Sequence, residues 1–126
     1  MKKRNFVIAV LFVMMCFFGC AQEAKVKTGV YVLENSGMTA DPSLVLDTED
    51  NSFSFSYSML SSYWPSGFYK IEDQMLIAET YDGENTYQFK IMNDNTLVFV
   101  EEGSSFIPSI GEKQAIQEGS IFSYKK

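Results

Sequence analysis

The strongest constraint on the fold is a strict alternation of aromatic and polar side chains. In residues 52–58, phenylalanine or tyrosine occupies every second position and serine stands between them. Residues 87–91 alternate in the same way. Because successive side chains of a β-strand point to opposite faces, a period of two predicts strands with one buried face.

Turn-forming residues separate these runs from further short strands. Acidic residues, asparagine or glycine predominate at positions 47–51, 72–74, 82–83 and 93–95. The pair Asp82-Gly83 is a strong hairpin signal, because glycine readily adopts the positive φ of a tight turn. We count eight strands, starting near residues 29, 43, 52, 67, 75, 85, 96 and 120. This spacing predicts an all-β domain: an antiparallel up-and-down meander that forms a closed or nearly closed small barrel.

The inward face of such a barrel is predicted from the period of two. Bulky side chains at these positions favour a barrel filled by its own residues over one with a ligand cavity. The expected inward residues are Tyr31, Leu44, Leu46, Phe53, Phe55, Tyr57, Tyr69, Ile71, Leu76, Tyr87, Phe89, Ile91, Leu97, Phe99 and Phe122.

Composition excludes several classes of function. The 126 residues fit one domain, and 46% hydrophobic content is too high for a disordered chain. The net charge of −6 argues against nucleic-acid binding, which needs a basic surface. The chain contains no histidine, so it cannot form a Ser-His-Asp or Cys-His catalytic arrangement or a histidine metal site.

The N-terminus has the order of a secretory leader. Lys2, Lys3 and Arg4 precede an apolar run over residues 6–18, and the run ends in Gly19-Cys20. The run is shorter than the roughly 20 residues of a spanning helix. An ordinary leader that happens to contain a cysteine is the alternative interpretation.

A small residue followed by cysteine directly after an apolar run resembles the lipobox of bacterial lipoproteins. The resemblance implies a leader over residues 1–19, cleavage after Gly19 and a lipid on the Cys20 sulfur. Residues 20–28 are then a lipid-anchored tether, and residues 29–126 form the single all-β domain. Cleavage would change the net charge from −6 to −9, because the leader holds three basic residues and no acidic one. The expected location is the extracytoplasmic side of the cell membrane.

Carboxylates are the remaining candidates for catalysis or metal binding. Asp82 and Glu84 form one cluster, and Asp47, Glu49 and Asp50 form another, to which Asn51 could add a calcium ligand. All of them stand in predicted turns, where these residue types serve the backbone, and the spacing matches no calcium loop. We therefore expect no catalytic residue, no metal site and no cofactor.

Two connections are longer than a hairpin needs. Residues 58–66 carry the single tryptophan, and Tyr63, Trp64 and Pro65 are the candidate contact residues. In the competing interpretation, Trp64 folds over the barrel end as a cap. Residues 103–119 contain apolar residues spaced to fold back as a plug on one barrel end. These residues are Phe106, Ile107, Ile110 and Ile116.

The order of motifs between residues 60 and 108 resembles a known family. The motifs are Leu60-Ser61-Ser62-Tyr63, Gly67-Phe68-Tyr69, residues 80–89, Leu97-Val98-Phe99 and Ser104-Ser105-Phe106-Ile107-Pro108. They resemble a small extracytoplasmic domain of anaerobic Gram-positive bacteria. That domain occurs in standalone lipoproteins and in proteins resembling beta-lactam-sensor-type metallopeptidases. The glycine-x-aromatic opening and the meander are also similar to lipocalin-like domains. The resemblance implies a fold and no site residue.

Three functions are consistent with these observations. The first is a non-catalytic, lipid-anchored binding or sensing module whose partner is a protein or a small apolar ligand. The second is an inhibitor or protector lipoprotein that uses its acidic surface to bind a basic secreted enzyme. The third, a carboxylate-dependent hydrolase, is disfavoured by the absence of histidine. We expect a monomer, with a membrane contact through Cys20 and no nucleic-acid partner.

Overall fold

A computed structural model describes residues 24–36, 41–58, 63–108 and 116–126. These ranges contain eight β-strands and no helix. The strands are β1 (Gly29–Leu33), β2 (Ser43–Asp47), β3 (Ser52–Ser56), β4 (Ser66–Glu72), β5 (Met75–Thr80), β6 (Thr86–Asn93), β7 (Thr96–Val100) and β8 (Ile121–Lys125).

The strands form a closed antiparallel barrel in chain order. Each strand pairs with the next along the chain, and β8 pairs with β1 to close the sheet. Every strand begins within one residue of its predicted start. The predicted all-β meander is therefore confirmed, and so is its closure, which leaves none of these eight described strands with an unpaired edge.

The alternation in the sequence corresponds to the inside and outside of this barrel. In β3, Phe53 and Phe55 are buried while the serines beside them are only partly covered. The register sets Phe55 opposite Leu44 and Phe53 opposite Leu46, so buried residues face buried residues across the strand pair. Fourteen of the fifteen predicted inward residues are buried in the described core.

Aromatic rings fill the barrel interior. Phe55 makes edge-on contacts with Tyr57, Tyr87, Phe89 and Phe122, with ring centroids 5.1–6.2 Å apart. Phe89 also meets Phe99 and Phe122 edge-on, at 5.6 and 5.5 Å. Edge-to-face pairs at these separations add attraction beyond the area they bury. Phe55 and Phe89 thus connect rings from β3, β6, β7 and β8 at the centre of the barrel.

One predicted inward residue is wrong. Ile71 is 36% exposed, although its cross-strand partner Leu76 is fully buried. Ile71 is the second-last residue of β4 and lies at the rim, beyond the depth to which side chains fill the barrel. Alternation fixes which face a residue points to, but it does not tell how far the core extends along that face.

The predicted plug is only partly correct. Ile107 and Ile116, from the connection between β7 and β8, are buried and belong to the core cluster. Phe106 instead points outward and is 81% exposed. Ile110 lies outside the described residues. The described residues of this connection therefore contribute two isoleucines to the core and leave one aromatic ring on the surface.

An up-and-down barrel has two ends with different connections. We call one the turn end: it carries the short links after β2, β4 and β6, together with residues 24–28 before β1 and the C-terminal residue after β8. The opposite loop end carries the links after β1, β3, β5 and β7. Residues 1–23, which include the predicted leader and Cys20, lie outside the described residues. No helix in the described ranges is long and apolar enough to cross a membrane.

The ring network generates a prediction about stability. Phe55→Ala and Phe89→Ala should each lower the free energy of unfolding by about 3–5 kcal/mol, as buried phenylalanine truncations do. The controls Ser54→Ala and Gln88→Ala, on the outward face of the same strands, should cost less than about 1 kcal/mol. Urea unfolding of the four variants measures this. Equal losses in both pairs would contradict the assignment of the two faces.

Candidate contact surface

Residues 24–28, which we call the N-terminal segment, lie against the turn end of the barrel. Ala24 and Val26 pack against the core, and the Lys27 amide donates a 2.8 Å hydrogen bond to the Tyr31 hydroxyl. The Tyr31 hydroxyl in turn donates to the Asp94 carbonyl at 2.6 Å. This segment belongs to the stretch predicted as a tether. Its described part, from Ala24 onward, lies against the barrel.

Further polar contacts hold the same segment. The Tyr124 hydroxyl donates to the Thr28 carbonyl at 2.9 Å. The Lys27 ammonium donates to Asn95 Oδ1 at 2.6 Å and lies 3.7 Å from Asp94 Oδ2. A shallow depression beside the segment is lined by Ala24, Lys25, Val26, Thr48, Asn51, Tyr69, Lys70 and Ile71. Residues 24–28 are therefore held against the turn end, beside this depression.

At the loop end, the predicted contact residues separate into two groups. Tyr63 and Trp64 are exposed, at 44% and 63%, whereas Pro65 is fully buried. The Pro65 carbonyl accepts a 2.8 Å hydrogen bond from the Phe55 amide and so extends the pairing of β3 with β4. Pro65 is therefore a structural residue of the sheet. Trp64 is not buried, although the cap interpretation requires burial.

Two further exposed aromatic residues lie at the same end of the barrel. Phe68 of β4 and Tyr81 after β5 are 55% and 67% exposed, and their rings meet edge-on at 5.1 Å. The Tyr81 amide donates to the Ser66 carbonyl at 3.1 Å, which brings Tyr81 to the start of β4. The Tyr63 hydroxyl accepts a 3.0 Å hydrogen bond from Asn85 Nδ2. These contacts join the loop before β4 to the turn after β5.

The turn that presents Tyr81 is held by its own hydrogen bonds. The buried Thr80 hydroxyl donates to Asp82 Oδ1 at 2.6 Å and accepts from the Asn85 amide at 3.1 Å. The Glu84 amide donates to the same Asp82 oxygen at 3.0 Å. Gly83 has the predicted positive φ, 73°. Tyr81 thus lies on a turn that these hydrogen bonds already order. The turn therefore loses little conformational entropy when a partner binds over Tyr81.

A close backbone approach aligns β4 with β5. A Cβ added to Gly67 would collide with the Glu79 carbonyl oxygen and lie 2.8 Å from the Thr80 Cα. Only glycine lets the two strands approach to this extent. The approach lies directly before Phe68 and therefore fixes that ring against Tyr81.

Phe106 adds a fifth exposed ring at this end. The neighbouring Ser105 amide donates to the Thr86 carbonyl at 2.6 Å, and the Thr86 amide donates to the Ser105 hydroxyl at 2.9 Å. This pair ties the residue before Phe106 to the first residue of β6, which lies opposite Glu79 of β5. We call Tyr63, Trp64, Phe68, Tyr81 and Phe106 the aromatic surface. Because contiguous exposed apolar residues mark sites of interaction, these five rings at one end are the candidate contact residues.

A buried tyrosine lies beneath this surface. Burial raises the pKa of Tyr87 to about 12, and the neighbouring phenols of Tyr63 and Tyr57 act in the same direction. Tyr87 is therefore protonated throughout the neutral range and packs against Phe55. The loop end thus has aromatic side chains from its core to its surface.

The acidic clusters serve the turns in which they lie. Asp47 Oδ1 accepts from the Glu49 amide at 2.9 Å, and Asp50 Oδ1 accepts from the Ser52 amide at 3.1 Å. The hydrogen bond from Thr80, followed by that from the Glu84 amide, lowers the pKa of Asp82 below its ordinary value. A lowered pKa is opposite to what a general acid needs. Among the described residues, no group of three or more acidic or cysteine side chains is arranged to hold a metal.

Sequence reasoning found Tyr63 and Trp64 but missed the other three rings. The sequence does contain a signal for Phe68: next to an inward Tyr69, it must point outward. Tyr81 directly precedes the Asp82-Gly83 hairpin signal. Phe106 belongs to the predicted plug together with Ile107, and nothing in the local sequence separates the two. Comparisons of the chain with protein-family models, with curated proteins and with solved structures gave no match.

The exposure of Trp64 predicts its fluorescence. The indole should emit at a solvent-like, red-shifted wavelength and be quenched readily by acrylamide. Trp64→Ala should lower the free energy of unfolding by less than about 1 kcal/mol, because the side chain is 63% exposed. Blue-shifted emission, or a loss of several kcal/mol, would restore the cap interpretation.

The pKa of Tyr87 predicts the response to alkali. A phenol with an ordinary pKa of 10.0 and a folded value of about 12 stabilises the fold fully below pH 10 and loses that contribution as pH rises toward 12. The urea midpoint should therefore hold at about pH 8 to 9 and then fall. Tyr87→Phe should fall less steeply over the same range. Parallel curves for the two proteins would contradict the assignment.

Proposed function

We propose that this protein is a non-catalytic binding module that contacts its partner through the aromatic surface. The observation that carries the proposal is the gathering of five exposed rings at one end of a barrel whose interior is filled. Phe55 and Phe89 occupy the centre with ring contacts, so the outside of the barrel is the surface available for recognition. Tyrosine and tryptophan combine a large apolar area with a polar tip, and they dominate binding energies at interfaces.

The proposal includes an anchor: a lipid on Cys20 at the extracytoplasmic side of the cell membrane. The order of charge, apolar run and Gly19-Cys20 supports it. The packing of residues 24–28 against the turn end supports a definite orientation. Only residues 21–23 separate Cys20 from Ala24, a span of at most about 14 Å between the two Cα atoms. The turn end then faces the membrane, and the aromatic surface faces away from it.

We also assign the barrel to the lipocalin-like lipoprotein domains that the sequence resembles. The closed meander of eight antiparallel strands supports this assignment. A second candidate function is an inhibitor or protector that binds a basic secreted enzyme. Carboxylates of Glu79, Asp82 and Glu84 beside the aromatic surface favour this narrower alternative.

Site-specific photo-crosslinking in intact cells tests the contact surface. A photoreactive amino acid replaces Trp64 at the loop end or Met92 near the turn end, two positions of similar exposure at 63% and 57%. We expect a discrete adduct from position 64 and none from position 92. Equal adducts from both positions, or an adduct from position 92 alone, would contradict the proposed surface.

The anchor is tested in the same cells with Cys20→Ser. This variant should leave the membrane fraction and lose the adduct from position 64 if the partner is also held at the membrane surface. If the variant stays in the membrane uncleaved, the apolar run is itself the anchor and the lipid proposal is wrong.

A further inference from the structure

The charges of this barrel are divided between its two ends. Every lysine that the structure describes lies at the turn end or in the half of a strand nearest to it, and no arginine occurs in the described ranges. These lysines are Lys25, Lys27, Lys70, Lys90, Lys125 and Lys126. Six carboxylates share that half: Asp47, Glu49, Asp50, Glu72, Asp73 and Asp94. The turn end is therefore close to neutral.

The loop end has no such balance in the part of the chain that the structure describes. It carries eight carboxylates and no lysine: Glu34, Asp41, Glu79, Asp82, Glu84, Glu101, Glu102 and Glu118. The ion pairs Lys27–Asp94 and Lys70–Glu72 both lie in the turn-end half. The excess negative charge of the described domain is therefore concentrated at the end that carries the aromatic surface.

The negative charge and the aromatic surface lie closest together at the pair of strands β4 and β5. Phe68 lies directly opposite Glu79 in the register, and Tyr81 is followed by Asp82 and Glu84 on an exposed turn. The rings of Phe68 and Tyr81 meet edge-on, so each keeps part of its face open. An open aromatic face beside carboxylates attracts a guanidinium or ammonium group in two ways. The ring quadrupole attracts the cation, and the carboxylate forms an ion pair with it.

From this juxtaposition, and on the basis of the proposed function, we infer that the partner of the aromatic surface is a protein whose contact face is rich in arginine or lysine. Cationic side chains of that face lie over Phe68 and Tyr81 and pair with Glu79 and Glu84. The concentrated charge steers such a partner to the loop end and raises the association rate at low salt. Anionic membrane headgroups are repelled from this surface by the same charge.

The test uses the full chain in a neutral detergent and a synthetic decapeptide of alternating arginine and glycine as the probe. Backbone amide NMR shifts should change at residues 63–68 and 79–85, and the affinity should fall as salt is raised from about 50 to about 500 mM. Glu79→Gln combined with Glu84→Gln should weaken binding roughly tenfold. The matched control Glu49→Gln with Asp73→Asn removes the same charge at the turn end and should leave binding unchanged.

Three results would overturn the inference. Equal weakening by both pairs would mean that overall charge, not the loop end, attracts the peptide. No weakening by Glu79→Gln with Glu84→Gln would mean that these carboxylates do not pair with the cations. Occupation of the surface by a neutral chitin tetrasaccharide but not by the peptide would assign the surface to a sugar.

Two ring variants separate failure of this inference from failure of the proposed function. Trp64→Ala and Phe68→Ala should each weaken binding of the peptide. If both bind it as the parent protein does, while the Glu79 and Glu84 pair matters, the aromatic surface is not the contact and the proposed function fails. If the ring variants lose binding and the charge variants keep it, the surface stands and only the basic partner is wrong. Urea midpoints of all variants confirm that each remains folded.

Discussion

The pairing of β1 with β8 determines the arrangement of every other part of this protein. Without it, both strands would present a row of unpaired amides and carbonyls, and the inward rings would line an open sheet. With it, eight strands of alternating residues enclose a space that Phe55, Phe89 and their neighbours fill. An even number of strands in a meander also brings the start of β1 and the end of β8 to one end of the barrel. All the long connections are thereby left at the other end.

Because the long connections lie at one end, the N-terminal segment and the aromatic surface lie at opposite ends of the barrel. Residues 24–28 lie against the turn end and are held there through Tyr31, Tyr124 and Asp94. Residues 24–28 lie away from the loop end, where the aromatic surface lies among carboxylates. A small barrel with a filled interior can bind a partner only at its ends or on its outer wall. In this protein, the large exposed rings lie mainly at one end.

The sequence predicts the strands well because alternation and turn chemistry are local signals. The buried faces of β3 and β6 follow from the order of aromatic and polar residues alone. The exposure of Ile71 does not, because the depth of the core depends on how far side chains from other strands reach. Closure likewise depends on pairing between residues almost a hundred positions apart, such as Val30 and Lys125.

The contact surface is harder to predict, for a related reason. Tyr63 and Trp64 stand out because their connection is long, whereas Phe68 becomes part of the surface only through the register that places it beside Tyr81. The burial of Pro65 also depends on the register between β3 and β4. Nothing in its local sequence indicates that its carbonyl accepts a hydrogen bond from the Phe55 amide. Strand parity identifies outward residues, but only the sheet's pairing tells which of them are neighbours.

The position of β1 has a mechanical consequence. A pull on the N-terminus, opposed at the loop end, acts along the length of β1. The hydrogen bonds of an antiparallel ladder run across the strands, so a load along the strand is shared by all of them in shear rather than opening them one by one. β1 has such ladders on both sides, with β2 and with β8. The strand that follows the N-terminal segment is therefore held by two ladders loaded in parallel, which makes the barrel resistant to being pulled apart from that end.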